Sequence, residues 1–173
     1  GAGRAGSSAA TILAENGRRV LVLERERFPR YHIGESLIPF TYQPLERLGM
    51  IDQLKESAFT KKYSVQFISP DGKASQPFYF FNRYDRETVA QTWQVMRADF
   101  DLMLLNNARE KGAEVIEEIS VKELIWEEGK VIGVRAFTKK GVDKEFYAPL
   151  TFDATGKEAF SATRNSWRER DPY

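Results

Sequence analysis

The sequence predicts an α/β fold of the Rossmann-like, dinucleotide-binding type. Three observations indicate it: a glycine-rich turn opens a helix of small residues, a short apolar strand ends in an acid, and a run of strands forms a later meander. The first helix is expected over residues 7–15, where Asn16 and Gly17 end it. The apolar run at 19–23 is typical of a parallel strand buried on both faces.

The glycine-rich turn carries the first candidate site. Gly1, Gly3 and Gly6 form the pattern G-x-G-x-x-G, and Ser7 follows at the start of the helix. Such glycines permit a tight turn, close approach of a pyrophosphate and close packing of helix on sheet, and the helix dipole favours phosphate. Glu24, which closes the next strand, can accept hydrogen bonds from an adenosine ribose and would repel the 2′-phosphate of NADP. The pattern predicts an adenine dinucleotide site without choosing between NAD and FAD; an ordinary glycine turn is the alternative.

Periodicity and turn residues define the rest of the chain. A helix is expected over 37–54, bent or interrupted near Pro39 and Pro44. The later elements are, in order, strands at 63–68, 77–81 and 89–96, an amphipathic helix at 97–111, a short strand, and a three-stranded meander with turns at Glu128-Gly129 and Lys140-Gly141 and β-forming runs at 131–137 and 145–152.

Composition excludes several classes of protein. The 173 residues include no cysteine, which excludes a disulfide scaffold, a cysteine zinc site and thiolate catalysis. The 26 basic and 25 acidic residues form no block of like charge, so no nucleic-acid partner is expected. No metal site is expected around His32, the only histidine, and no apolar run reaches the roughly 18 residues of an integral membrane helix. A cysteine-free chain suits the cytoplasm, which is the expected location.

The residues also carry a family resemblance. The opening stretch GAGRAGSSAATILAENGRRVLVLERERFPRYHIGES resembles the N-terminal FAD module of the flavin-dependent halogenases and of their geranylgeranyl reductase-like and aromatic-hydroxylase relatives. The segments at 28–36, 94–115 and 152–165 are similar to further motifs of that family, in the same order. The resemblance implies FAD and an FAD-binding domain of the glutathione-reductase or aromatic-hydroxylase type, with an inserted β-meander and part of a substrate-domain sheet.

The resemblance also implies how the chain is divided. The expected parts are an FAD-binding βαβ portion at 1–60, part of a substrate-side sheet at 61–96, and a return to the FAD domain at 97–173. The first strand of the fold is missing before Gly1, so we expect a piece of a longer protein, incomplete at both ends. Without that strand, we expect this polypeptide alone to bind FAD poorly.

The same resemblance implies further cofactor contacts. Arg30, Glu35 and Ser36 lie in the FPRYHIGES loop, whose Gly-Glu-Ser turn passes beside the flavin ring in the family. A structural or flavin-adjacent role is expected for His32 rather than that of a general base. The remaining predicted contacts are Arg97, for which a solvent-facing arginine is the alternative, and Asp153 and Gly156 of the D-A-T-G turn, for which an ordinary Asx turn is the alternative.

The implied activity is oxidative halogenation. In the halogenases, reduced FAD and O2 oxidise chloride or bromide to hypohalous acid, which passes to a lysine near the organic substrate. By resemblance this catalytic lysine is Lys62 in AFTKKYSVQF; a surface lysine is the alternative. The implied partners are an aromatic or similar organic substrate, O2, possible halide, and a source of reduced flavin, either a separate flavin reductase or NAD(P)H.

Other functions stay open. A geranylgeranyl reductase-like flavin reductase or an aromatic monooxygenase would suit the aromatic stretch at 77–84 if it lined a pocket, although packing of the sheet against the helix layer is favoured. The halogenase signature G-W-x-W-x-I-P does not occur in the chain; in the family it lies beyond the D-A-T-G turn. A fragment without activity of its own is a further alternative, and the meander disfavours an NAD-dependent dehydrogenase.

Overall fold

The computed structural model describes residues 1–82, 91–169 and 171 and shows a mixed α/β fold. The α-helices are α1 (Arg4–Glu15), α2 (Tyr42–Arg47), α3 (Ile51–Glu56), α4 (Arg97–Glu110) and α5 (Phe160–Arg164). The strands are β1 (Leu21–Leu23), β2 (Thr60–Lys62), β3 (Ser64–Val65), β4 (Phe78–Tyr79), β5 (Thr92–Gln94), β6 (Glu114–Ile116), β7 (Ile119–Glu127), β8 (Lys130–Thr138) and β9 (Asp143–Tyr147). The chain divides into two compact units: unit 1 comprises Gly1–Arg30 and Asp101–Tyr173, and unit 2 comprises Tyr31–Phe100. The three-part division expected from the sequence stays a prediction.

Unit 1 is built on a parallel pair of strands. β1 and β6 pair in parallel with Val22 opposite Val115, and the Glu24 amide extends the ladder to the Ile116 carbonyl at 2.9 Å. A core of small and branched residues joins α1 and α4 to this pair; it contains Ala2, Ala10, Val22, Phe28, Leu105, Ala108 and Ala113. The predicted helix at 7–15 and strand at 19–23 are therefore present, with the helix starting earlier and the strand confined to its last three residues.

The meander predicted in unit 1 is confirmed. β7, β8 and β9 form an antiparallel sheet in that order, with turns at Glu128-Gly129 and Lys140-Gly141, where both glycines have positive φ. The last strand ends at Tyr147, whereas the sequence predicts strand over 145–152. Pro149 gives the reason, because a proline has no N–H to donate to the ladder.

The helix predicted over 37–54, bent or interrupted near Pro39 and Pro44, is divided in unit 2 at a different residue. A 3-10 turn at Pro39–Thr41 is followed by α2 and α3, and the break falls around Gly49, whose φ is +72°. Pro44 lies in the first turn of α2, where its missing N–H would have no intrahelical acceptor. The helix is thus interrupted by the glycine, and Pro44 is accommodated.

The strands of unit 2 are shorter than predicted. Of the strand expected at 63–68, only β3 is present, and β2 lies just before it. β2 pairs antiparallel with β5, and β3 pairs antiparallel with β4. The segment expected at 77–81 is strand only over Phe78–Tyr79, and of the segment expected at 89–96 residues 89 and 90 lie outside the described residues. Trp93 of β5 is fully buried, and its ring stacks on Tyr42 with centroids 6.2 Å apart, which ties this sheet to α2.

Candidate functional site

The glycine turn of unit 1 is formed by backbone packed on backbone. A Cβ at Gly6 would overlap the Gly1 carbonyl oxygen, and a Cβ at Gly1 would lie 2.5 Å from the Ala154 carbonyl oxygen. A Cβ atom essentially never comes that close to an oxygen, so both positions require glycine. The D-A-T-G turn of residues 153–156 therefore lies directly against the G-x-G-x-x-G turn, which the sequence pattern did not show.

Two polar side chains hold the same turn in place. The Ser7 hydroxyl donates to the Ala2 carbonyl at 2.8 Å, and Ser7 is fully buried. The Glu24 carboxylate accepts the amide of Ala2 at 2.6 Å and that of Glu26 at 3.0 Å, and Glu24 is 4% exposed. A carboxylate has about four acceptor positions, so Glu24 retains capacity for further donors. The acid predicted to bind the ribose thus also fixes the turn to the end of β1.

Arg30 lies against the second glycine. A Cβ at Gly3 would lie 3.3 Å from Arg30 Nη2, and the guanidinium carbon is 4.6 Å from the centroid of the Phe28 ring. Gly3 is the N-cap of α1 and makes no side-chain cap. The structure therefore brings a cation and the start of a helix together, the combination that favours phosphate.

Asp153 organises the D-A-T-G turn. One carboxylate oxygen accepts the Thr155 amide at 3.0 Å and hydroxyl at 2.6 Å; the other accepts the Ser161 amide and hydroxyl, both at 2.7 Å. Burial raises the pKa of this carboxyl, but the hydrogen bonds from Thr155 and Ser161 outweigh it and lower the pKa from 3.8 to about 2. Gly156 follows with φ +69°, so it is required for its backbone conformation. The predicted cofactor roles of Asp153 and Gly156 stay predictions.

Unit 2 places Lys62 beside Ser36. The Lys62 ammonium donates to the Ser36 hydroxyl and to the Leu37 carbonyl, the latter at 3.0 Å. It also lies 5.9 Å from the centroid of the buried Phe80 ring, and burial lowers the pKa of Lys62 below its usual 10.5. Lys62 is accordingly a half-buried, oriented amine. Its predicted catalytic role stays a prediction, as does the alternative of a surface lysine.

Three more predicted residues belong to unit 2. Arg97, at the start of α4, is 6% exposed and donates from Nη1 to the Ile33 carbonyl at 2.6 Å, so it is not solvent-facing. The Glu35 carbonyl accepts the Val95 amide at 2.8 Å, and Ser36 forms a β-bridge with Gln94. His32 is exposed. No contact tests the predicted cofactor roles of Arg97, Glu35 and Ser36.

The aromatic stretch at 77–84 is only partly buried, whereas the sequence favours packing of its sheet against the helix layer. Phe80 is buried, whereas Phe78, Tyr79 and Phe81 are each more than 40% exposed. Tyr79 and Phe81 stack on each other with centroids 5.3 Å apart. Arg83 and Tyr84 lie outside the described residues.

Sequence reasoning missed two polar residues near the glycine turn. Asp101 is fully buried on α4, with a carboxylate oxygen 3.7 Å from Arg30 Nη1, and Ser161 is a donor to Asp153. The sequence does contain a pattern that indicates burial of Asp101. It lies three residues before Leu104 and four before Leu105, so it falls on the apolar face of an amphipathic helix. Ser161 carries no comparable signal.

Within the described ranges, no group of three or more His, Asp or Glu side chains is arranged to hold a metal ion. The helices found in those ranges all fall short of the length and apolarity needed to cross a bilayer.

Comparison with known proteins decides the family. The sequence profile of the tryptophan halogenases matches residues 1–94, more than half of the chain. The chain belongs to the tryptophan halogenase family. Among its curated relatives, a 1H-pyrrole-2-carbonyl-(peptidyl-carrier protein) chlorinase of Pseudomonas fluorescens is 31% identical, over 99% of the chain and 41% of the relative. A brominase named for the same carrier-bound pyrrole in Pseudoalteromonas luteoviolacea is 32% identical, over 99% of the chain and 40% of the relative. The chain thus spans about two fifths of the length of these relatives.

Solved structures agree with this family. The myxobacterial chondrochloren halogenase CndH, an FAD-dependent halogenase, superposes with a TM-score of 0.78 at 37% identity, over 86% of this chain and 34% of that one. The flavin-dependent halogenase CmlS superposes with a TM-score of 0.85 at 30% identity, over 96% of this chain and 30% of that one. The probable FAD-dependent monooxygenase PqsL of Pseudomonas aeruginosa, 19% identical with a TM-score of 0.79, shares the fold.

Proposed function

We propose that the protein is an FAD-dependent halogenase in which this chain binds FAD and Lys62 delivers oxidised halogen to an organic substrate. The observation that carries the proposal is the position of Lys62, whose amine is half-buried and held by Ser36 and Leu37 in a chain of the halogenase family. We further infer a Rossmann-like FAD-binding arrangement for unit 1, supported by the parallel pair β1–β6 and the glycine turn before α1.

The residues of unit 1 fit the adenosine diphosphate part of FAD. Side chains are excluded at Gly1 and Gly6, so the first turn of α1 offers bare backbone to a phosphate, with Ser7 closing the turn. Arg30 supplies a cation beside Gly3, and Glu24 supplies a buried carboxylate for ribose hydroxyls. The proposed contacts of Glu35, Ser36, Arg97, Asp153 and Gly156 rest on the family resemblance.

When bound and reduced, FAD would supply the electrons that activate O2 for oxidation of a halide. Lys62 would take up the oxidised halogen through its neutral amine: the nitrogen would bond to the halogen of hypohalous acid, the O–halogen bond would break, and the hydroxide would leave as water with a proton from the nitrogen. Its ammonium has three N–H donors, of which described residues accept two, so one position remains for an incoming hypohalous acid. The lowered pKa of Lys62 raises the fraction of neutral amine, whose lone pair can bond to halogen.

The proposed partners follow from this chemistry. They are a halide ion, O2, an electron-rich aromatic or similar substrate, and reduced flavin from a separate reductase or from NAD(P)H. The carrier-bound pyrrole in the names of two relatives supports an aromatic ring as the substrate class. Since an acid at position 24 repels a 2′-phosphate, we propose FAD rather than NADP as the resident dinucleotide.

The test compares Lys62→Ala with Lys61→Ala in the purified protein. Neighbouring residues of a strand point to opposite faces, and Lys61 is exposed, so it is a matched control on β2. With reduced FAD, O2, bromide and a panel of phenols and pyrroles, we expect wild type and Lys61→Ala to form brominated products. Lys62→Ala should form them about a hundredfold more slowly or not at all, the usual scale for loss of a positioned proton-transferring side chain, while oxidation of reduced flavin continues.

Two results would contradict parts of the proposal. Brominated product formed by Lys62→Ala at the wild-type rate would reject Lys62 as the halogen carrier. Flavin binding without halogenation of any substrate would instead favour the reductase or the monooxygenase.

A further inference from the structure

The guanidinium of Arg30 in unit 1 is surrounded by carboxylates rather than by hydrogen-bond acceptors at short range. Its side chain is 10% exposed, and its Nε and Nη1 atoms are buried and make no hydrogen bond among the described residues. Three carboxylates surround them: Glu26 lies 3.3 Å and Glu24 3.9 Å from Nε, and Asp101 lies 3.7 Å from Nη1. A buried guanidinium without hydrogen bonds is costly, so these ion pairs must compensate its charge.

The three carboxylates are not equivalent. Glu26 is half-exposed, so solvent screens its attraction for Arg30. Glu24 is buried but already accepts the amides of Ala2 and Glu26, which fix its position at the end of β1. Asp101 is fully buried and approaches Arg30 from α4, on the Nη1 side. It is therefore the unscreened charge that sets the direction of the guanidinium from the helix.

The direction of the guanidinium matters because its third nitrogen lies at the glycine turn. Nη2 is the atom that a side chain at Gly3 would meet, so the guanidinium spans from Asp101 to the start of α1. A rigid planar cation placed there can donate to an anionic group bound at the helix start. A rotation of the side chain away from Asp101 would move Nη2 from that place.

We propose that Asp101 is a positioning residue for FAD: its buried carboxylate holds Arg30 against the glycine turn, where the guanidinium meets the diphosphate. This inference rests on the proposed FAD site. Asp101 does not touch the cofactor in this arrangement; it acts through Arg30. A single acid on the buried face of α4 thereby becomes part of the dinucleotide site.

A double-mutant cycle on FAD affinity tests the proposal. In the full-length protein that contains this chain, Asp101→Asn, Arg30→Met and the double variant are titrated with FAD, and the dissociation constants are taken from flavin fluorescence. Asp101→Asn should raise the dissociation constant about tenfold in the wild-type background, a typical coupling for contacting charged groups. It should raise it no further in the Arg30→Met background. Asp99→Asn, at an exposed position of the same helix, is the matched control and should bind FAD as wild type does.

A purely structural role for Asp101 would give a different result. Asp101→Asn would then weaken FAD binding equally in both backgrounds, and the proposal would be wrong. It would also be wrong if Asp101→Asn bound FAD with wild-type affinity. Should Asp101→Asn fail to fold, Asp101→Glu takes its place in the cycle. Its longer side chain displaces the carboxylate, so it should raise the dissociation constant for FAD with Arg30 present but not in the Arg30→Met background; equal changes in both backgrounds would overturn the role. A folded full-length wild-type protein that bound no FAD would reject the proposed function, and the role of Asp101 with it.

Discussion

The Asp153 carboxylate is saturated by its own chain. Four donors from Thr155 and Ser161 occupy its two oxygens, about the number that a carboxylate can accept. Its effect on a cofactor would therefore pass through the backbone of the turn, because Ala154 is the residue that contacts Gly1. The interpretation of this motif as an Asx turn describes the observed hydrogen bonds well, and it is compatible with the predicted cofactor contact.

The same carboxylate predicts a pH dependence of stability. The pKa of Asp153 is lowered from 3.8 to about 2, so the charged form stabilises the fold above pH 4 and this contribution is lost as the pH falls towards 2. Asp153→Asn should be less stable than wild type at pH 7 by about 1 kcal/mol, a small value because the residue is exposed. The difference should close between pH 4 and 2 in urea unfolding monitored by circular dichroism.

Asp143→Asn, at an exposed position of β9, is the control for this titration. At pH 7 it should unfold at a urea concentration close to that of wild type, as is usual for an exposed substitution. A stability difference for Asp153→Asn that stayed constant from pH 7 to 2 would show that the carboxylate charge is not what holds the turn.

The sequence predicts which residues lie together when they belong to one local motif. Gly1, Gly3, Gly6 and Glu24 lie together as the motif requires, because a single turn and the adjacent strand place them. Contacts such as Lys62 with Ser36 and Arg30 with Asp101 join distant parts of the chain, and no periodicity encodes them. Their discovery needed the tertiary structure.

At the scale of elements, β8 depends on a glycine at its centre. Gly133 pairs with Tyr147 of β9, and a Cβ there would overlap the Phe146 carbonyl oxygen. β8 is nine residues long, and the edge strand β9, which packs on it here, is five residues long. A side chain at 133 would therefore push the edge strand away from the sheet.

Gly133→Ala should lower the free energy of unfolding by about 1–3 kcal/mol, the usual cost of overpacking a site bounded by backbone. The midpoint of urea unfolding measures this change. Lys144→Ala, at an exposed position of β9, should leave the midpoint close to that of wild type. Equal midpoints for Gly133→Ala and wild type would mean that β9 can shift without cost.

Helices and strands were predicted well where clear turn residues or a clear periodic pattern mark them. The glycine turns on either side of β8 and the amphipathic pattern of α4 gave those elements almost to the residue. It failed over 37–54, because the helical pattern of apolar residues continues through a glycine that adopts positive φ. Periodicity alone does not reveal whether a glycine ends a helix or is tolerated inside it.

At the scale of the whole molecule, unit 1 is built from two separate parts of the chain, which meet at one candidate dinucleotide site. Addition of FAD at about 100 times its dissociation constant should stabilise the protein by about 2.7 kcal/mol. For a chain of this length, that corresponds to a rise in melting temperature of about 5–10 °C, measurable by circular dichroism. Removal of the cofactor should reverse it.

Riboflavin, which lacks the adenosine diphosphate, is the matched ligand control and should raise the melting temperature less than FAD. NADP should give no rise, because Glu24 would face its 2′-phosphate. A rise with NADP as large as that with FAD would contradict the proposed role of Glu24.

The contact between Gly1 and Ala154 has a consequence for synthesis. The ribosome completes the glycine turn and α1 long before it makes the D-A-T-G turn, yet the two pack backbone to backbone. Contacts between residues so far apart in sequence form late and slow a folding reaction. We therefore expect a nascent chain to complete its glycine turn only after residue 154 has left the ribosome, so that binding of the proposed cofactor would follow translation of this region.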